Sequence, residues 1–219
     1  MGRWAQHGQN SFQSSNLTVS KLPQLKILAL FTLDLDVAGV LRIIDSQPGQ
    51  VLLVGHSYSG AVITEAGVYP KVSDLVYASV FGSEIGDTAI TKSANYPTTE
   101  AFQEIKEIGG GFLLLTDKGM HDYFAQALTP GETDIVAATQ GQTNGNVFKT
   151  PLHNAAWKSK PSWYIVSAND KTIHPDEERD TAKRLNAKTL TLPTSHVPML
   201  SPPEKVAEFI LGAVKELNA

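Results

Sequence analysis

The tightest constraint on this chain is a set of short apolar runs that do not alternate with polar residues. "VLLV" (51–54), "DLVYASVF" (74–81) and "SWYIVSA" (162–168) carry apolar side chains on successive positions. An extended segment does that only when both of its faces are covered, which is the condition of a strand inside a parallel sheet. "KTLTLP" adds a shorter strand near the C-terminus. Between the strands the period changes. Val37, Val40, Leu41 and Ile44 fall at i, i+3, i+4 and i+7, so residues 33–45 read as an amphipathic helix with Thr32 or Asp34 capping its start. A second helix follows over about 58–69 and ends before Pro70, and a third begins at Pro175 and runs to about Leu185. Val206, Phe209, Ile210 and Ala213 mark the buried face of a last helix. Strands alternating with helices imply an α/β fold, a mostly parallel sheet flanked by helices.

A chain of 219 residues with 42% apolar content can bury one substantial core. The interval 83–160 breaks the rhythm: it is rich in Gly, Thr, Gln and Asn, and contains "GGGFLLL" and the helix-like "HDYFAQAL". The expected organisation is a core of 1–82 and 161–219 with a helical cap, 83–160, inserted over the carboxyl ends of the strands, where open α/β sheets bind ligands. A plain helical excursion without a role in recognition is the competing reading. The net charge of −4 and the absence of any Lys/Arg run argue against nucleic acid as a partner. The apolar run at 27–31 is far short of the ~20 residues of a membrane span and reads as core. No leader pattern opens the chain, so the expectation is a soluble protein, cytoplasmic by default. With no cysteine, thiolate catalysis, disulfides and zinc–thiolate sites are excluded.

"VLLVGHSYSGAVITEAG" (51–67) concentrates the chemistry. Ser57 stands between a dry strand and a helix, where a sharp turn exposes its hydroxyl, brings the Tyr58 backbone N–H to a developing oxyanion, and sets a helix N-terminus beneath the site. Such a turn is crowded, so small residues are needed on both sides. Gly55 and Ser59 meet that need, with Gly60 one place later than the second glycine of the G-x-S-x-G pattern. The competing reading is a small-residue turn with no catalysis.

A serine nucleophile needs a base and an acid, and in this architecture both come later in the chain. His196, in "TLPTSHVPML", follows a short strand and precedes the final helix, as such a base should. Asp170, in "SANDKTIHP", follows the strand at 162–168, where a loop carboxylate can hold the imidazole tautomer. Asp176 is the nearest competitor and Glu84 a second, while His174 serves the start of the Pro175 helix. His7 lies in a polar segment, His56 adjoins the nucleophile awkwardly, and His121 and His153 belong to the inserted interval. No histidine pair has metal-ligand spacing, and "IGGGF" lacks the Lys and Ser/Thr of a phosphate-binding loop. Neither metal nor cofactor is expected.

Taken with "KPSWYIVSANDKTIHPD" and "SHVPMLSPPEKVAEFI", these residues resemble the α/β-hydrolase superfamily, and within it small capped bacterial members similar to plant methyl esterases and hydroxynitrile lyases. The likeness runs from about Leu33 to the C-terminus. It implies Ser57 as nucleophile, Asp170 as acid, His196 as base, and a small carboxylic ester as substrate through an acyl-enzyme. Hydroxynitrile-lyase chemistry is the alternative, for which Lys118, Lys149 and Lys158 are the available cap lysines, and a catalytically impaired or ligand-binding relative is another. Relatives open with a buried strand ending in His-Gly that supplies the second oxyanion donor. "QHGQ" does not fit that strand, so the expectation is a shortened N-terminus and an exposed sheet edge that another segment or a second chain would have to cover, with the oligomeric state, a dimer through that edge included, left open. Cap aromatics Phe112, Tyr123, Phe124 and Trp157 are candidates for an apolar pocket, though most read as packing.

Overall fold

A computed structural model describes residues 32–82 and 84–217. The readings placed on residues 1–31, namely the missing His-Gly strand, His7 and the apolar run at 27–31, lie outside the described residues. Four parallel strands form the main sheet: β1 (Val51–His56), β2 (Val72–Ala78), β6 (Ser162–Ser167) and β7 (Lys188–Leu192), in the order β1-β2-β6-β7. The two-faced apolar runs are the reason. In β2, Leu75 and Tyr77 point to one face while Val76 and Ala78 point to the other, and in β6 Tyr164 and Val166 oppose Trp163 and Ile165.

Each face is covered by helices. On one, α1 (Leu33–Asp45), α2 (Ser59–Ala66) and α6 (Pro175–Arg184) contribute Leu33, Val40, Ile44, Val62, Ile63, Ala66, Ala182 and Leu185 to the larger core. On the other, α7 (Pro203–Leu217) lays Val206, Phe209, Ile210 and Ala213 against the sheet, as the spacing predicts. Helix α1 has the expected bounds, and of its two cap candidates Thr32 does the work: its side chain accepts from Leu35 N–H at 3.3 Å. Asp34 and Asp36 in the first turn and Arg42 in the last complement the helix dipole.

Several boundaries differ from the sequence reading: β1 runs on to His56, β2 begins at Val72 and β6 ends at Ser167. Strand β2 ends at Ala78 rather than 81, because Ser79 takes φ 48° and leaves the extended region. Helix α2 stops at Ala66. Beyond it Gly67 lies so close to Ala156 that an added Cβ would come within 2.7 Å of the Ala156 Cβ.

The residues between β2 and β6 hold more than helices. Short α3 (Ala89–Ser93), α4 (Asp117–Gly119, running into a π-helical turn at Met120–Phe124) and α5 (Pro130–Thr139) accompany an antiparallel sheet of β3 (Ile105–Gly109), β4 (Phe112–Leu115) and β5 (Thr143–Asn144). The three glycines read as a loose turn join β3 to β4: Gly109, Gly110 and Gly111 have φ of 109°, 62° and 80°, a left-handed path that β-carbons oppose. Hydrogen bonds tie this segment to the loop after β6. Gln126 Nε2 donates to Asn169 O (2.8 Å), Thr99 Oγ1 to Thr172 O (2.8 Å) and Ala101 N–H to Lys171 O (3.3 Å).

Candidate active site

The turn after β1 has the geometry that its sequence demands. Ser57 sits at φ 52°, a conformation that costs a non-glycine residue of order 1–3 kcal/mol and that persists only where its surroundings enforce it. Two hydrogen bonds do so: Ser57 N–H donates to Ala78 O (3.1 Å) and Gly60 N–H to Ser57 O (2.9 Å). The crowding falls at Gly55 and Gly60. A Cβ on Gly55 would lie 2.7 Å from the Ser59 carbonyl oxygen, and one on Gly60 would lie 2.5 Å from Val80 Cβ. Ser59 is therefore tolerated two places after the nucleophile because the close approach is made by the next residue. Tyr58 is anchored by its side chain, whose hydroxyl donates to Asp36 Oδ2 on α1 (2.8 Å). Burial and that acidic partner push the phenol well above its usual range, so it stays neutral. Its backbone N–H is committed to no partner among the described residues.

Asp170 and His196 are brought together. The loops after β6 and β7 are joined by Ala168 N–H to Leu192 O (2.8 Å) and Asn169 N–H to Thr194 O (3.2 Å). Below them the hydroxyls of Ser79, Ser167 and Thr194 form a buried chain, with oxygen separations of 2.7 and 3.1 Å. On this base His196 Nδ1 lies 2.6 Å from Asp170 Oδ2, both side chains fully buried. Asp170 Oδ1 accepts the N–H groups of Thr172 (2.6 Å) and Ile173 (3.1 Å), which fixes the carboxylate. Burial alone would raise the Asp170 pKa; the charge and hydrogen bond of His196, with donors from Glu178 and Thr172, outweigh it and hold the group below its usual value. An ionised Asp170 only accepts, so His196 Nδ1 carries a proton and donates it to the carboxylate. Nε2 is buried with no hydrogen-bond partner, so the Ser57 hydroxyl is not bonded to it in this structure.

His56 was set aside in the sequence, and it links the elbow to the loop that carries His196. Its Nε2–H donates to the His196 carbonyl (2.6 Å), and the two rings lie 4.8 Å apart between centroids. Burial, then repulsion from His196, lower its pKa to about 3, so it is a neutral donor that holds the His196 backbone. The available signal was its position: the residue before an elbow serine ends the strand and faces the loop that carries the base. From the other side Phe124 packs its ring 4.9 Å from that of His196.

The elbow opens on a cavity of about 670 Å³. His56, Ser57 and Tyr58 form its floor, and the walls come largely from β3, β4, the π-helical turn and α5, with Leu113, Leu115, Met120, Phe124, Val136 and Phe148 supplying apolar surface. Of the four aromatics considered in the sequence, Phe124 lines this cavity. Tyr123 instead receives a hydrogen bond from Lys118 Nζ (2.7 Å), and Trp157 packs against the larger core. Lys118 also pairs with Glu104 and Asp122, Lys158 pairs with Glu84 at 2.8 Å, and Lys149 is the cap lysine on the cavity wall. The rejected acids have other duties: Asp176 pairs with Arg179 on the surface, and Glu84 with Lys158. His174 caps α6 as expected, its Nδ1 accepting from Asp176 N–H at 3.2 Å.

A strained serine elbow beneath a cavity, with a buried acid–imidazole pair on the neighbouring loops, matches a known family at the level of sequence. The family model for alpha/beta hydrolases matches residues 7–209. The chain belongs to the alpha/beta hydrolase family. Relatives of this hydrolase include an alpha/beta hydrolase, nvfD, of Aspergillus novofumigatus, 29% identical over 78% of this chain and 73% of its own. A carbendazim-hydrolysing esterase of Nocardioides is 29% identical over 81% of this chain and 77% of its own. Among solved structures, a pyrethroid hydrolase superposes with a TM-score of 0.73 at 24% identity, covering 86% of this chain and 79% of that one, which bears on the fold. The relatives named as hydrolases and esterases support ester hydrolysis at the level of the family. Among the described residues no helix is long and apolar enough to cross a membrane.

Proposed function

We propose that this hydrolase cleaves a small carboxylic ester through an acyl-enzyme formed on Ser57. His196 Nε2 takes the Ser57 proton as the serine oxygen attacks the ester carbonyl, and the Tyr58 N–H receives the oxyanion. Collapse breaks the bond to the alcohol, which leaves with the proton from His196. Water, deprotonated by the same imidazole, then releases the acid. Asp170 keeps the Nδ1 proton in place and offsets the positive charge that His196 gains. In this reading residues 83–160 are the cap that encloses the substrate. The mainly apolar cavity fits esters with apolar acyl or alcohol groups.

The observation that supports the reading most is the buried Asp170–His196 pair, held against His56, the residue before the strained elbow serine. Steady-state and burst kinetics with a series of nitrophenyl esters test it. The expected result is a burst of nitrophenol followed by slower turnover, both abolished in Ser57→Ala and in His196→Ala. Turnover that survives Ser57→Ala would refute it. The lyase alternative rests on Lys149 at the cavity wall. Cyanide release from aromatic cyanohydrins, lost in Lys149→Ala while ester turnover persists, would favour it.

A further inference from the structure

Behind the acid–imidazole pair lies a second buried carboxyl group that the mechanism does not use. Glu178, on α6, is 0% exposed, and its Oε2 accepts the Ser167 N–H at 2.9 Å. Its Oε1 is buried and finds no donor. Ser167, whose N–H Glu178 accepts, takes the Asp170 N–H on its own carbonyl (3.2 Å), which makes Glu178 and Asp170 neighbours, and the charge of each carboxyl group bears on the other. Two ionised carboxylates cannot bond to each other; both only accept, and their charges repel in a dry site. A proton on one of them removes the repulsion and supplies a donor to the other.

The surroundings decide where it resides. Asp170 already receives N–H groups from Thr172 and Ile173 and the Nδ1–H of His196. Three donors fill three of the roughly four acceptor positions of a carboxylate, and they favour its charged form. Glu178 receives one N–H on Oε2, and its Oε1 has no hydrogen-bond donor, lysine and arginine included, among the described residues. We infer that Glu178 is held as a carboxylic acid whose Oε1–H donates to Asp170, making it a positioning residue that completes the shell around the acid of the triad. This inference rests on the reading of Asp170 and His196 as catalytic.

The other titratable groups facing Glu178 agree with this charge state. Burial, then the Asp170 charge and hydrogen bond, push Glu178 well above the usual carboxyl range, with Glu177 adding repulsion and the Ser167 N–H opposing. Tyr164 is neutral, its hydroxyl donating to Val80 O at 2.8 Å. Glu177 is turned toward Ser93 Oγ, which donates to it at 3.0 Å, and feels the Arg184 charge. The fourth donor does two things for Asp170: it holds the carboxylate in line with His196, and it restrains the basicity of Asp170, and with it that of His196.

The test pairs Glu178→Gln, which keeps a donor toward Asp170 and an acceptor toward Ser167, with Glu178→Leu, which keeps neither. Infrared difference spectra of wild type minus Glu178→Gln at pH 7 should show the carbonyl band of a protonated carboxylic acid. The Nδ1–H proton of His196 should resonate far downfield in wild type and in Glu178→Gln, and shift or broaden in Glu178→Leu. Ester turnover should be retained within about threefold in the Gln variant. The Leu variant should fall by about tenfold, the scale seen when an outer partner of a functional group is removed, and the acidic limb of its kcat/KM profile should move to higher pH. Absence of the carboxylic-acid band overturns the inference. So does a Gln variant that folds yet loses the His196 resonance and the activity as fully as the Leu variant. The spectroscopic arms do not need turnover, so an inactive protein with both signals intact would sink the hydrolase reading and leave the Glu178 proton standing.

Discussion

Gly60 shows how closely a single position is constrained at the elbow. Val80 Cβ is 2.5 Å from where a Gly60 Cβ would be, and Val80 belongs to the core beneath the turn. Gly60→Ala therefore overpacks the turn and should destabilise the protein by about 1–3 kcal/mol, read as a lower denaturation midpoint. An unchanged midpoint would mean that the elbow relaxes without resistance. His56 carries a different constraint. Its folded pKa of about 3 lies below the ordinary value of 6.5, so the unfolded chain binds a proton there that the folded chain does not. The corresponding stability is complete above about pH 6.5 and is lost as pH falls from there toward 3. In His56→Gln, which can keep the donor to the His196 carbonyl without titrating, the fall in Tm between pH 6.5 and 4 should be shallower. A slope equal to that of wild type would contradict the assignment.

Elements, more than residues, decided what could be read in advance. Strands β2 and β6 were legible because each is covered on both faces, β1 because its run is apolar throughout although Val54 is exposed, and α1 and α7 because each buries a single stripe; these patterns are local and show in the sequence. The boundary at Ala78 was not, since the left-handed turn at Ser79 is imposed by contacts to β6, with Ser79 N–H donating to Ile165 O at 3.1 Å. The small sheet was missed for a related reason. Strand β3 is exposed along its whole length and β5 has two residues, so neither carries apolar alternation; the triple glycine between "IKEI" and "FLLL" was the available hairpin signal. In the candidate site, the loops that bring Asp170 and His196 together were legible, whereas His56 and Glu178 acquire their positions only from packing between distant segments. Helix α6 offers a test at this scale. Its Glu177 is buried against Ser93, which follows α3's first turn, and burial above all raises its pKa to about 7. A raised carboxyl contributes stability that is full below about pH 4.5 and declines as pH rises to 7. Glu177→Gln removes that decline and should raise Tm at pH 8 relative to wild type, by about 2–4 °C per kcal/mol relieved. Equal Tm values at pH 5 and pH 8 in both proteins would contradict it.

At the scale of the molecule, the sheet, the two joined loops and the segment over them act together. Strand β1 delivers the serine, the loops after β6 and β7 deliver the acid and the imidazole, and hydrogen bonds from Thr99, Ala101 and Gln126 fasten the overlying segment to the loop that carries Asp170. The segment that supplies most of the apolar cavity walls is thereby fastened to the loop that carries Asp170. The central claim is that this assembly makes the Ser57 hydroxyl an activated nucleophile. It is tested most directly by treating the folded protein with a fluorophosphonate and locating the adduct by mass spectrometry. The account predicts a single adduct on Ser57, absent in His196→Ala and strongly slowed in Asp170→Asn; no adduct on folded wild-type protein, or an adduct formed equally well without His196, would contradict it.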